Sequence, residues 1–394
     1  MRIAIDASTW GNRRGFGRFT RELVSALVRL DTPHRFVLFV DGEASCGLDV
    51  ETVAVRQSRP VSEAAVADDS RRPLDLLRFT AAVARARPDV LFYPAVYSWF
   101  PCPPALPNLL TLHDAIAEHF PGMVFPQRRY RILWQLKLRL ARLQATRFLT
   151  VSNAAREEIE AYMGIRRDRI DLTTEGPKAV FQPMTSDAAL AEAGARVRQR
   201  FSLPASARWF TYVGGFAPHK NLLGLVNAFA RVVEKRAPDL HLLLVGDIAS
   251  SGFHSNIEQI RARLASVPGL AGRVHFTGYV DDAMLAEIYA TSLAAVLPSF
   301  SEGFGLPLVE AMACGTPVVA SRAGSIPEIL GDAGRLFDPH DEGSIAISLK
   351  ELVDDAALGA DLRRRSLQRA AHFSWEEAAW LALASIERCA GSRR

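Results

Sequence analysis

No stretch of this chain approaches the roughly 18 consecutive apolar residues that a membrane-crossing helix requires, so no spanning segment is expected. Cysteine is scarce: Cys46, Cys102, Cys314 and Cys389 are the only four in 394 residues, far apart and without a CxxC or Cys/His cluster. That sparseness argues against a disulfide scaffold and a structural zinc site, and no metal site is expected. A secretory leader is not expected either, because Met1-Arg2 runs straight into Ile3-Ala4-Ile5-Asp6, a short buried-strand pattern. Also missing is any acidic residue between His119 and Arg156. What is present is ordinary for a folded protein, with 49% apolar and 23% charged residues, which excludes global disorder. At roughly 100–200 residues per domain the length predicts two domains, and the expected location is the cytoplasm.

The net charge of +4 is unevenly spread: residues 1–175 carry 25 Lys+Arg against 20 Asp+Glu, and residues 176–394 carry 22 against 23. In the acid-free span Arg128, Arg129, Arg131, Lys137, Arg139, Arg142, Arg147 and Arg156 interleave with Tyr130, Leu133, Trp134, Leu136, Leu138, Leu140 and Leu143. A helix of this kind suits an anionic membrane surface, which would place the protein peripherally on the inner face of the plasma membrane through residues 128–147. The plainer reading is a long helix packed on its own domain, with Arg and Lys stems reaching to water. Nucleic acid is not an expected partner, since no recognition motif accompanies the charge.

Short apolar runs alternate with helical periodicity along nearly the whole chain, the pattern of parallel sheets with helices on both faces. Strands are expected at Ile3–Ile5, Phe36–Phe39, Val90–Tyr93, Leu109–Leu112 and Phe148–Val151, then at Trp209–Val213, Leu240–Val245, Arg273–Phe276, Ala294–Leu297 and Pro317–Ala320. The expected fold class is α/β, as two Rossmann-like, doubly wound parallel-sheet domains facing across a cleft at the carboxyl ends of their strands. The expected boundaries are a first domain over 1–175, a polar, Ala-rich linker over 176–206 and a second domain over 207–374. A final helix, 375–394, is then expected to cross back to the first domain.

The sharpest chemical signal is Pro298-Ser299-Phe300-Ser301-Glu302-Gly303-Phe304-Gly305-Leu306-Pro307-Leu308-Val309-Glu310, between a buried strand and a helix stopped by Gly315 and Pro317. Gly303 and Gly305 let the backbone approach a ligand, and the helix start behind them attracts a phosphate. Pro307 suits a first helical turn, where its missing N–H does no harm. Glu302 and Glu310, eight apart, are acceptors for hydroxyl groups. A phosphate flanked by two polyols fits such a loop, and a nucleotide sugar has that form. The alternative is a plain Gly-rich turn with two surface glutamates.

A second signal is Gly214-Gly215-Phe216-Ala217-Pro218-His219-Lys220-Asn221, where a strand ends in a Gly pair and Lys220 sits before the next helix. A cation at a helix start is mildly disfavoured by the dipole, which points to a bound anion rather than an idle surface lysine. There its ammonium would neutralise a diphosphate leaving group. His113-Asp114 follows a first-half strand, where a histidine is as often structural as functional. Gly11, Gly15 and Gly17 are expected to form a flexible loop carrying Arg13, Arg14 and Arg18. Gly15-Phe16-Gly17-Arg18 is only a fragment of a dinucleotide fingerprint without its third glycine, so a nicotinamide oxidoreductase loses ground. Asp281-Asp282 reads as a helix-capping turn before 283–290 rather than a metal site.

Taken together, these motifs resemble retaining glycosyltransferases of the GT-B fold, glycosyltransferase family 4. Glu302 and Glu310 match that family's Glu-x7-Glu motif, continued by Ala311-Met312-Ala313-Cys314-Gly315-Thr316-Pro317-Val318-Val319. Gly214 to Lys220-Asn221 matches its phosphate-binding segment. His113-Asp114, Val151-Ser152 and Gly15-Phe16-Gly17-Arg18 match in the same order. The resemblance implies catalytic roles for Glu302, Lys220 and His113. It implies donor contacts from Gly214, Gly215, Lys220, Asn221, Val280, Glu302, Gly303, Phe304, Gly305, Leu306 and Glu310, with Glu310 on the ribose diol, Glu302 on the donor sugar and Val280 near the base. Gly15, Gly17, Arg18 and Asp114 would lie near the diphosphate or the acceptor. In many members an Arg stands five residues before the Lys; here that position is Gly215, so the diphosphate would lean on Lys220, helix-end amides and Arg18. This Pro-His-Lys-Asn segment is similar to that of bacterial polysaccharide mannosyltransferases.

The expected activity is retaining, metal-independent hexosyl transfer without a cofactor, with GDP-mannose favoured as donor and a glycan or lipid-linked glycan as acceptor. The alternatives are transfer to a small natural product or sugar phosphate, or a non-catalytic nucleotide-sugar-binding subunit.

Overall fold

Strands covered on both faces read as unbroken apolar runs, and the computed structural model assembles such runs into two parallel sheets, of seven and six strands among the described residues. It describes residues 1–12, 14–42, 46–58, 72–236, 239–248 and 255–392; Arg13 lies outside them. Two compact units result: Met1–Glu175 with Ser374–Arg394, and Gly176–Phe373. Each is a Rossmann-like α/β domain.

In the first unit β1 (Arg2–Asp6), β2 (Arg35–Asp41), β3 (Glu51–Val55), β4 (Val90–Tyr93), β5 (Asn108–Thr111), β6 (Arg147–Thr150) and β7 (Ile170–Leu172) lie in the order β3-β2-β1-β4-β5-β6-β7. Ile3 pairs with Phe36 on one side and Val90 on the other, and Ile3, Ala4 and Ile5 are wholly buried. The strand order reverses between β1 and β4, so the chain segments leaving these strands diverge there and open a binding edge. The helix Gly15–Arg29 buries Phe19, Leu23, Val24 and Leu27 on one stripe. Packed on it is the helix Trp375–Gly391, whose Ala378, Ala379 and Ala382 allow close approach. Ser374 caps that helix by accepting from the Glu377 N–H, and Thr173 Oγ1 donates to the Ala378 carbonyl at 2.9 Å.

In the second unit β8 (Arg208–Val213), β9 (Leu240–Val245), β10 (Val274–Gly278), β11 (Ala294–Leu297), β12 (Val318–Ser321) and β13 (Gly334–Phe337) lie in the order β10-β9-β8-β11-β12-β13. The same reversal falls between β8 and β11. The helix Leu222–Arg236 follows β8, and Leu306–Ala313 lies between β11 and β12.

Four expectations are corrected. Residues 176–206 are part of the second unit rather than a linker, because the helix Asp187–Arg200 packs on the helix Asp282–Thr291 through Ala193, Gly194 and Val197. Gly15, Gly17 and Arg18 stand in the first turn of a helix instead of a flexible loop; the apolar stripe from Phe19 onward carries the helix back over its glycines. The basic helix ends at Gln144, and Arg147 belongs to β6, where it pairs with Asp171 at 2.8 Å. The expected strand list omits β3, β7 and β13, which all lie at sheet edges. An edge strand has only one neighbour and tolerates polar residues, as Glu51-Thr52 and Gly334-Arg335 show.

Candidate functional site

Because β8 and β11 are neighbours, the segments leaving their carboxyl ends begin side by side. The two are then joined residue by residue. The Phe300 N–H donates to the His219 carbonyl at 2.8 Å. Asn221, in the left-handed region at φ 54°, donates from its buried side-chain amide to the Pro298 carbonyl at 3.1 Å and the Pro339 carbonyl at 2.8 Å. Both amide protons are thereby used, so Asn221 braces the turn that carries Lys220 and does not itself offer them to a ligand.

Lys220 Nζ donates to both Glu302 oxygens, each at 2.8 Å. Ser299 Oγ adds a third donor, to Oε1, at 2.6 Å. The two charged side chains are 20% and 11% exposed, sheltered enough for the pairing to persist yet open to a small ligand. As a pair they carry no net charge, so an arriving polyanion has to draw the ammonium away from its carboxylate. His219, between the Pro turn and Lys220, has its pKa pushed down to about 3 by burial and then by the Lys220 charge, and is neutral at ordinary pH.

The 303–306 loop behind Glu302 leads into the helix Leu306–Ala313. Its N-cap is Gly305 at φ 95°, with no side-chain cap and with Pro307 in the first turn. A Cβ at Gly305 would be strained by that backbone and would press on Leu308. The uncapped first turn leaves the partial positive charge of the helix start for a ligand. Gly303, Phe304 and Leu306 are buried, as is Glu310 one turn into the helix. On the other side, the Gly214 N–H donates to the Val245 carbonyl at 3.0 Å and Gly246 to the Gly278 carbonyl at 3.2 Å, so Gly214, Gly215 and the half-buried Val280 belong to one sheet edge.

The first unit holds the remaining expected residues. His113, after β5, sets Nε2 3.1 Å from the Pro94 carbonyl after β4 and its ring edge-on to Phe19, centroids 4.5 Å apart. A carbonyl only accepts, so Nε2 carries the proton and Nδ1 is left as an acceptor. Burial pushes this imidazole down to about 4 although the Pro94 contact opposes it; it too is neutral. Asp114 accepts from the Ile116 N–H at 3.0 Å and closes the turn after His113. Gly17 lies against the Asn12 carbonyl, where a Cβ would come within 2.2 Å. Gly15 is exposed, and Arg18 is half-buried. Ser152 caps the helix Asn153–Met163 by accepting from the Ala155 N–H, a structural role for the residue matched at that strand end.

Three residues at the Glu302 loop escaped sequence reasoning. Ser299 grips the carboxylate. Gly324, at φ 54°, lies so close that a Cβ would meet the Glu302 backbone N at 2.7 Å. Ser325 donates from its N–H to the Glu302 carbonyl at 3.2 Å and from Oγ to the Phe304 carbonyl at 2.9 Å. Ser299 had a local signal, three residues before its acid. Gly324 and Ser325 come from beyond β12 and had none.

Residues 13–176 match the family model described as Glycosyltransferase Family 4, and residues 207–355 match that described as Glycosyl transferases group 1. O-antigen chain mannosyltransferase B of Escherichia coli is 33% identical over 228 residues, 58% of this chain and 57% of that protein. The MMP alpha-(1->4)-mannosyltransferase of Mycolicibacterium hassiacum is 33% identical over 269 residues, 66% of this chain and 58% of that one. The chain thus spans a little over half the length of these curated relatives. Sucrose-phosphate synthase from Thermosynechococcus elongatus shares the fold, with a TM-score of 0.74 across 98% of both chains at 22% identity.

Proposed function

This chain belongs to glycosyltransferase family 4, with its GT-B fold, and on that premise we propose that it moves a hexose from a nucleotide diphosphate sugar to an acceptor hydroxyl. The observation that carries the reading is the Lys220–Glu302 pair at the junction of β8 and β11, beside an uncapped helix start. Mannose from GDP-mannose is the favoured donor; the names of the two relatives at 33% identity support the mannose, not the nucleotide. The acceptor is a growing glycan on a lipid carrier, and the 128–144 helix is the segment that would meet the membrane.

The transfer retains configuration. The bond from the anomeric carbon to the phosphate oxygen breaks, the acceptor oxygen bonds to that carbon on the same face, and the acceptor proton passes to the departing phosphate. No side-chain nucleophile or base is then required, and the protein supplies orientation and charge. Lys220 leaves Glu302 for the diphosphate, aided by the helix-start amides. Glu302 turns to the sugar, and Glu310 holds the ribose diol. With that positive charge in place, transfer proceeds without a metal.

Melting the protein with GDP, UDP and ADP sugars tests this, because a ligand that binds only the native state raises the melting temperature. The largest rise is expected with GDP-mannose, unchanged by EDTA, with EDTA also sparing transfer. A larger response to a UDP or ADP sugar overturns the donor, and no response to any removes the reading. Binding with neither transfer nor donor hydrolysis assigns a non-catalytic subunit.

A further inference from the structure

Tyr212, the penultimate residue of β8, is wholly buried, and its hydroxyl donates to the Gly215 carbonyl at 2.5 Å. The phenol therefore lies under the Gly214-Gly215 turn that leaves the strand. Two glycines make room for this. A Cβ at Gly214 would come within 2.5 Å of the hydroxyl, and one at Gly246, after β9, within 2.0 Å of the Gly214 carbonyl oxygen. The Phe216 ring is buried beside the phenol, centroids 6.5 Å apart. Burial, and then the nearby Glu302 charge, push the phenol's pKa well above its ordinary value, so the hydroxyl stays protonated and remains a donor.

A trans peptide sets its C=O and N–H on opposite sides, and no peptide bond among the described residues is cis. With the Gly215 carbonyl drawn inward onto a buried hydroxyl, the Phe216 N–H of the same peptide unit points the other way, toward the open side of the turn. Among the described residues the N–H groups of Gly215, Phe216 and Ala217 have no hydrogen-bond partner. Gly215 is exposed, with open space where a Cβ would stand. Consecutive backbone donors of this kind form a concavity for anions, and Lys220 follows three residues after Ala217. We infer that Tyr212 is a positioning residue for the nucleotide diphosphate: its hydroxyl fixes the Gly215–Phe216 peptide so that the 215–217 amides face the phosphates beside Lys220. Without that anchor the peptide is free to rotate and present a carbonyl oxygen, a partial negative charge, to the same anion. Lys220 already shares its ammonium with Glu302, and Gly215 and Phe216 carry no charge, so backbone donors supply this part of the attraction. The inference rests on the sugar-transfer reading and names what orders its phosphate end.

Two measurements on the full chain test it: calorimetry with GDP, and the proton resonance of the Phe216 amide in protein carrying isotope-labelled phenylalanine, assigned with a Phe216→Leu sample. Tyr212→Phe deletes the hydroxyl and keeps the ring. It should bind GDP about tenfold or more weakly, as expected for losing a hydrogen bond to a charged group, while its ligand-free melting temperature falls by only a few degrees. Saturating GDP should move the Phe216 amide proton downfield in the parent and much less in Tyr212→Phe. Equal GDP affinity in the two proteins overturns the proposal and leaves the sugar-transfer reading standing. So does a weakened Tyr212→Phe whose Phe216 amide still responds as in the parent; the hydroxyl then serves the fold alone. A parent amide that ignores saturating GDP overturns it too, and that measurement holds even where the variant fails to fold. If the parent binds neither GDP nor another nucleoside diphosphate, the sugar-transfer reading falls, and this inference with it.

Discussion

Lys220 shares its ammonium between both oxygens of Glu302, so a nucleoside diphosphate entering there competes with a carboxylate already in place. Glu302→Gln removes the competitor. GDP should bind a few-fold to about tenfold more tightly by calorimetry, while sugar transfer falls by roughly a hundredfold. Lys220→Ala should lose both GDP binding and transfer; leaving Glu302 without its cation should also cost about 1–3 kcal/mol of stability in denaturant melts. Unchanged GDP affinity in Glu302→Gln would place the pair outside the binding site. The two neutral histidines make a separate prediction. Burial lowers His113 from 6.5 to about 4 and His219 from 6.5 to about 3. As pH falls below 6.5 the unfolded chain takes up protons that the folded chain refuses. Their contribution to stability is therefore complete above 6.5 and lost on descent toward 4 and 3. Denaturant melts between pH 7.5 and pH 4.5 should show the decline, and His113→Gln should flatten part of it. Transfer, in contrast, should show no titration of His113 between pH 6 and pH 8.

Helices and strands were legible to different degrees. Asp281 reads in the sequence as a cap, and in the fold its side chain accepts from the Met284 N–H at 2.8 Å at the start of Asp282–Thr291. Asp281→Ala should cost about 1 kcal/mol in a thermal melt; no loss would show that packing on the helix Asp187–Arg200 suffices. Gly15 and Gly17 misled because glycine is locally a loop signal, whereas the periodic Phe19, Leu23 and Leu27 beyond them decide for a helix. In Arg128–Gln144 the helical periodicity is plain, as expected, but the leucines face two ways. Of its six leucine and isoleucine residues only Leu138 is buried. Periodicity reports that a helix has faces, and the neighbours determine which face is covered.

The first unit is assembled from both ends of the chain. Its C-terminal helix buries Trp375, Ala378, Ala379, Ala382, Leu383 and Ile386, and Phe19 packs edge-on to Trp375 with centroids 6.0 Å apart. Losing that many apolar contacts, at about 1.5–3 kcal/mol for each large side chain, approaches the whole stability of a domain. Deleting residues 374–394 should therefore abolish cooperative melting of the first unit and leave the second unit's transition in place by calorimetry. Two transitions in the truncated protein would show that the helix merely decorates the unit.

Local pattern was enough for the central strands, for two α/β units, and for Lys220 and Glu302 at strand ends, because strand burial, helix periodicity and glycine-rich turns act over a few residues. It was silent on the neighbours. That β8 pairs with β11 rather than stopping at β9, that Ser299, Gly324 and Ser325 close around Glu302, and that five aliphatic side chains stay in solvent all follow from long-range packing. Those arrangements depend on which distant segments meet, and no short window of sequence carries that information.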